Sequence, residues 1–225
     1  MRMQILMAMM FLAGAGLLCA NEVIERCEKA AVVLDEVMRT PEKAIPSDLI
    51  AKAHCVVVVP GMKKVGFGLG AKYGKGLLSC RAASGKGWTG PTTVRIEGGS
   101  IGFQIGGSST DLVLLVMNKA GKKKLLSSKA TLGADASVAG GPVGRTASAQ
   151  TDAQMTAEIL SYSRSKGLFA GISLEGASLR PAHKDNKAIY GRDVTPQQIL
   201  AGEVEVPASV AVLAQALGKY SMHER

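Results

Sequence analysis

Between Cys55 and Leu174 the chain breaks into short apolar stretches, each stopped by Gly, Ser or Asn. That punctuation leaves little room for anything but a strongly curved, mostly antiparallel sheet. The expected strands are Cys55–Val59, Val65–Tyr73, Gly76–Arg81, Thr92–Ile96, Ser100–Ile105, Leu112–Met117, Ala130–Ser137, Thr146–Gln150, Glu158–Arg164 and Leu168–Leu174. Within the second, Gly66, Gly68 and Gly70 alternate with Val65, Phe67 and Leu69, so one face of a strand would be almost bare backbone. A bare face admits either a packed neighbour or a ligand groove.

Helical spacing appears on both sides of this region. Val23, Ile24, Cys27, Ala31, Leu34 and Met38 share one face of a helix over residues 22–39, with Glu25, Glu28, Lys29 and Glu36 opposite. Ser47 or Asp48 is placed to cap a short helix reaching His54, and residues 118–128 read as a short helix with a basic face. Thr195 caps a helix that starts at Pro196, and residues 207–220 pack through Val210, Leu213 and Leu217. The expected fold class is α+β: a single domain, with a curved antiparallel β-rich body flanked by N- and C-terminal helices.

Residues 1–20 read as a secretory signal peptide, with Arg2 ahead of an apolar run from Ile5 to Leu18. The run is shorter than the ~20 residues of a membrane-crossing helix. A lipoprotein requires a small residue just before its acylated cysteine, and Leu18 stands before Cys19, so cleavage near Ala20 is expected instead of lipid anchoring. Residues 21–225 would then be one domain, its core at about 45–217, in a periplasm or outside the cell. Cleavage removes one charge, Arg2, so the formal charge of +9 becomes +8. A basic domain in that compartment meets anionic lipids, lipopolysaccharide or acidic polymers and no nucleic acid.

Cys55 opens one strand and Cys80 closes a later one, so an antiparallel pairing would bring them together as a disulfide. Cys27 lies on an apolar helical face and reads as a buried thiol. The remaining cysteines and histidines lack metal-site spacing, so neither a metal nor a cofactor is expected.

Motifs that imitate catalytic loops fail on context. Gly98-Gly99-Ser100-Ile101-Gly102 has the string of a nucleophile elbow, but strand and not helix follows it, and His183 is the one downstream base within reach. Gly70 to Gly76 has the wrong spacing for a phosphate loop and lacks the hydroxyl residue after Lys75. Asp111 and Asp135 sit beside small or hydroxyl residues and suit turn capping or pairing with Arg145. No enzyme is expected.

The positive charges gather in three places: Lys63 and Lys64; Lys72, Lys75 and Arg81; and Lys122, Lys123 and Lys124 with Lys129. Each basic head group near an anionic surface is worth about 1 kcal/mol, so several together could hold a protein on a membrane. Phe67 or Leu125-Leu126 could add apolar insertion. Solvated lysines on turns are the alternative for any one cluster.

The run Tyr162-Ser-Arg-Ser-Lys-Gly-Leu-Phe-Ala-Gly-Ile-Ser-Leu-Glu-Gly176 resembles the signature of the SYLF lipid-binding domain family. Cys55-Val-Val-Val-Val-Pro60, Trp88-Thr-Gly-Pro91, Gly102-Phe-Gln-Ile-Gly-Gly107, Thr110-Asp-Leu-Val-Leu114, Leu132-Gly-Ala-Asp135 and Ala188-Ile-Tyr-Gly191 fit it in order, with Ile189 in place of the usual aromatic. The resemblance implies a lipid-binding domain, here as a bacterial exported member; eukaryotic members are associated with phosphoinositide membranes and some with actin. It also implies membrane contact through a basic N-terminal helix. Residues 22–39 carry five carboxylates against Arg26, Lys29 and Arg39, a net −2, so that role does not carry over. The expectation is non-enzymatic binding of phospholipids or other anionic envelope amphiphiles. Candidate contacts are Lys63, Lys64, Phe67, Lys72, Lys75, Lys122, Lys123, Lys124 and Lys129. The alternative is an envelope structural or protein-interaction module that binds a protein partner and no lipid.

Overall fold

Cys55-Val-Val-Val-Val59 is apolar on both faces of a strand, and a strand buried on both sides must sit centrally between two layers. The computed structural model has that arrangement and describes residues 2–39, 44–67, 69–101, 106–143, 156–165, 168–171 and 174–221. In chain order the elements are α1 (Arg2–Met38), α2 (Ser47–Lys52), β1 (Cys55–Phe67), β2 (Leu69–Cys80), β3 (Thr92–Ile101), β4 (Gly106–Val116), α3 (Lys119–Leu125), β5 (Ala130–Thr131) and β6 (Val138–Gly140). There follow β7 (Ile159–Ser165), β8 (Leu168–Gly171), β9 (Ser178–Pro181), α4 (His183–Tyr190), α5 (Pro196–Ala201), a 3-10 turn (Ala208–Val210) and α6 (Val212–Tyr220).

The strands make one sheet in the order β5-β9-β3-β2-β1-β4-β7-β6, with β8 added on β7. Every pair is antiparallel except β6 with β7. The two outermost strands, β5 and β6, are joined by residues 132–137 alone, so the sheet curls until its edges lie within about 20 Å of each other. The fold is α+β with a half-barrel body, as the sequence implied.

Each face of the sheet has its own core. Outside, Val56, Val58, Leu77, Val113 and Leu115 pack under Val23, Cys27, Leu34 and Val37 of α1 and Leu213 and Leu217 of α6. Inside, Val57, Val59, Leu78, Ile96, Leu112 and Leu114 meet Leu125, Leu132, Leu174 and Leu200. The Cys27 thiol is fully buried, and burial pushes its pKa up to about 12. Cys55 and Cys80 face each other across β1 and β2 and are joined as the expected disulfide.

The structure revises several boundaries. Val65–Tyr73 is not one strand: the chain reverses between Phe67 and Leu69, and Gly66 pairs with Gly70. The alternation survives the reversal because glycine stands opposite glycine. A bulge between Val59 and Met62 bends β1, with Gly61 at a φ of 62° that only glycine adopts easily. Thr92–Ile96 and Ser100 belong to one strand, Ala130–Ser137 is strand only at Ala130–Thr131 (β5) and then turns, with β6 starting beyond it at Val138, and Thr146–Gln150 lies outside the described residues. Pro46, with no side-chain hydrogen bond, occupies the N-cap position of α2 expected for Ser47 or Asp48, whereas Thr195 makes the full capping box on α5. The helix expected over residues 22–39 runs unbroken from Arg2. Among the described residues no helix is long and apolar enough to cross a membrane.

Candidate functional site

Past the bulge, β1 to β4 run on beyond the two cores and form a flat end of the sheet made largely of small residues. In register across it stand Ser100, Gly70, Gly66 and Gly106. The next row on the same face is Gly98, Lys72, Lys64 and Ser108. The intervening row, on the opposite face, is Gly99, Ala71, Val65 and Gly107, and beyond it Lys63 lies between Tyr73 and Ser109.

The glycines of the region divide by role. A Cβ on Gly76 would lie 2.4 Å from the Val58 carbonyl oxygen, and one on Gly74 2.6 Å from Val59 Cγ1, so these two let β2 close on β1. At Gly99 and Gly107 a Cβ would meet nothing nearer than 3.9 and 3.8 Å, so the surface there is open. Close packing therefore accounts for the glycines beside the core, and the outer ones leave exposed backbone.

Lys64 and Lys72 are directly opposed, an arrangement that costs stability because like charges face each other at strand spacing. Burial, and then the charge of Lys72, hold the Lys64 ammonium below its ordinary pKa. Lys63 is exposed, and Lys64 and Lys72 are half-buried. Among the described residues none of the three has a carboxylate partner. Val65 is 57% and Tyr73 47% exposed, the largest apolar exposure on the sheet among the described residues. Phe67 occupies the last paired position of β1, opposite Leu69.

The other sequence candidates fall elsewhere. Lys75 Nζ lies 3.2 Å from both oxygens of Asp185, which also accepts from Arg26 Nη1 at 2.9 Å, so this lysine ties β2 to α4 and α1. Lys124 Nζ donates to Glu158 at 2.9 and 2.8 Å and fastens α3 to the segment before β7. Lys122, Lys123 and Lys129 remain without carboxylate partners among the described residues, on and just after α3. Lys122 and Lys123 follow the end of β4 where Val116 pairs with Cys55, whereas Lys64 pairs with Ser108 nine residues along β1, roughly 30 Å away. Lys129 precedes β5, whose Ala130 is linked through Leu179 and Ile96 to Gly74 of β2. With a Debye length of about 8 Å in physiological salt, Lys122 and Lys123 act as a field separate from Lys63, Lys64 and Lys72.

The catalytic look-alikes remain structural. Ser100 lies within β3, opposite Gly70, with no strand-to-helix turn beneath it. Asp111 accepts from the Gly61 amide at 2.8 Å and pairs with Arg164 at 2.6 Å; Arg145, a partner the sequence suggested, lies outside the described residues. Asp135 accepts from the Thr131 amide at 2.6 Å, which caps a turn as expected. Among the described residues no group of side chains could hold a metal ion.

The sequence has known relatives. The family model described as "Ysc84: Las17-binding protein actin regulator" matches residues 97–220. The chain belongs to the Ysc84 family. That agrees with the SYLF resemblance carried by Tyr162–Gly176. Relatives include the SH3 domain-containing YSC84-like protein 1 of Homo sapiens, 33% identical over 200 residues, 86% of this chain and 58% of that protein. The Rattus norvegicus protein of that name is 34% identical over the same shares. LAS seventeen-binding protein 3 of Saccharomyces cerevisiae is 30% identical over 187 residues, 82% of this chain and 40% of that protein. The chain thus spans about half the length of these curated relatives.

Proposed function

We propose that this Ysc84-family domain binds phospholipids or other anionic envelope amphiphiles without catalysing a reaction, and that it does so through the flat end of the sheet. The observation that carries this reading is the end of the sheet where Lys64 and Lys72 stand opposed on one face and Lys63, with exposed Val65 and Tyr73, stands on the other, none of the lysines with a carboxylate partner among the described residues. These three cations have a favourable partner in a surface rich in anions, at about 1 kcal/mol each. The exposed apolar side chains add burial at the lipid boundary, and the open glycine backbone permits close approach. Export with cleavage near Ala20 is part of the proposal, since it places the domain against the envelope.

A second reading rests on the family's description as a Las17-binding actin regulator and on the name of the yeast relative, LAS seventeen-binding protein 3. Under it the same end of the sheet docks a protein, here an envelope partner.

Flotation with vesicles decides between them. Wild-type protein should float with vesicles of phosphatidylglycerol in phosphatidylcholine, stay at the bottom with phosphatidylcholine alone, and lose binding as salt rises from 0.05 to 0.5 M, a range that takes the Debye length from about 14 Å to about 4 Å. Equal recovery with neutral and anionic vesicles, or none with either, would sink the lipid reading and leave the protein partner.

A further inference from the structure

We propose a second anion site, distinct from the flat end: Arg95 of β3 and Arg180 of β9, flanked by Lys75 of β2, bind a phosphate-type oxyanion on the outer face of the sheet. The argument begins with register. Lys75 pairs with Arg95, and Arg95 pairs with Arg180, so three cations stand in line across three adjacent strands. Directly opposed like charges destabilise a sheet, and this row contains two such pairs in succession. Leu77, two residues along from Lys75, belongs to the outer core, whereas Ile96 and Leu179 belong to the inner one, so the row lies on the outer face beside α1 and α4.

The carboxylates nearby only partly balance this charge. Asp185 is shared by Lys75 and Arg26. Glu97 lies 2.7 Å from Arg95 Nε and 4.0 Å from Arg180 Nε. Neither Nε is aligned for a hydrogen bond, and both are shielded from solvent. The side chains nevertheless keep 41% and 38% of their surface exposed, and their terminal nitrogens bond to nothing among the described residues. Four cations and two carboxylates leave the patch at +2. Two arginines paired across neighbouring strands, their Cα atoms about 5 Å apart, can present both guanidinium groups to one oxyanion, the mode in which arginine binds phosphate. Glu97 then competes with the anion for both arginines.

Phosphate can arrive as a lipid headgroup or free in solution, and the test separates the two. Amide resonances of isotope-labelled protein are followed during titration with inorganic phosphate at constant ionic strength. We expect saturable shifts on β3 and β9, an affinity at least about tenfold weaker in Arg95→Gln and in Arg180→Gln, and tighter binding in Glu97→Gln. Lys123→Gln, at the distant α3, should match wild type. If one arginine variant fails to fold, the other and Glu97→Gln carry the same test. A structural role for the row predicts that Glu97→Gln lowers stability and leaves phosphate affinity unchanged.

Vesicles of phosphatidic acid in phosphatidylcholine supply the second arm. If the arginine variants weaken both phosphate and vesicle binding, the anion is a headgroup; if phosphate binding alone falls, it is a soluble phosphate. Shifts that are linear in phosphate, or saturable but unchanged in both arginine variants, overturn the site. Neither result touches the flat-end reading, which is measured by the lysines there.

Discussion

Asp185→Ala should lower the stability of this domain by about 3 kcal/mol, which for a chain of this length is a fall of roughly 6–12 °C in Tm. Asp185 is 5% exposed and holds Arg26 from α1 and Lys75 from β2. Arg26 is itself 13% exposed at its side chain, so removing the carboxylate strands a nearly buried guanidinium. The loss is not larger because the Lys75 side chain is 34% exposed and recovers hydration. Thermal unfolding followed by circular dichroism measures the effect. The double variant Asp185→Ala/Arg26→Met should recover a large part of it, because the stranded charge and not the lost contact dominates. A fall of less than about 1 kcal/mol would show that solvent already screens the cluster.

A second large effect is expected at Gly141. A Cβ there would lie 2.0 Å from Tyr162 Cζ and 2.5 Å from its Cε2. The ring is fully buried in the outer core, so it can give way only by displacing packed neighbours. Gly141→Ala should therefore cost about 3 kcal/mol, the upper range for overpacking, and again appears as a lowered Tm. The Tyr162 hydroxyl is a separate matter. It is buried without a hydrogen-bond partner among the described residues, and burial holds its pKa above the ordinary tyrosine value. Tyr162→Phe should thus be neutral or stabilising by about 1 kcal/mol, since it removes an unsatisfied polar atom and keeps the ring. Tyr162→Phe as damaging as Gly141→Ala would mean that the hydroxyl has a bonded partner.

These residues also show what hydropathy can and cannot reveal. Cys55–Val59 was legible because an unbroken β-branched run has one comfortable place, the middle of a two-sided sheet. The Cys55–Cys80 bridge followed from strand ends that pairing brings side by side. The helix α4 is not among the elements that the sequence leads one to expect. Its buried face carries Asp185 and Asn186, whose partners Arg26, Lys75, Thr92 and Thr93 are all distant in sequence. Nothing in a local pattern separates such a polar residue from a solvated one. For the same reason Lys75 and Lys124 looked available until their carboxylates were placed.

The site was partly legible in the same way. Lys63, Lys64 and Lys72 are visible as charges, but their placement at one end of the sheet depends on the reversal between Phe67 and Leu69, which the glycine alternation conceals. The Lys75–Arg95–Arg180 row could not be read at all, because only cross-strand register brings those positions into line. The sequence shows three clusters of positive charge, and register decides which share a place: Lys63, Lys64 and Lys72 stand at one end of the sheet, and Lys122 and Lys123 lie by the other.

That division makes the account's central claim testable in one comparison. Binding to phosphatidylglycerol vesicles would be measured for wild type, for Lys63→Gln/Lys64→Gln/Lys72→Gln, and for Lys122→Gln/Lys123→Gln/Lys129→Gln, each checked for an unchanged melting transition. Both triple variants lose the same net charge, so any difference reports position. The account predicts a loss of about a hundredfold for the first and less than about threefold for the second. Equal losses, or a larger loss for the α3 lysines, would contradict binding through the flat end of the sheet.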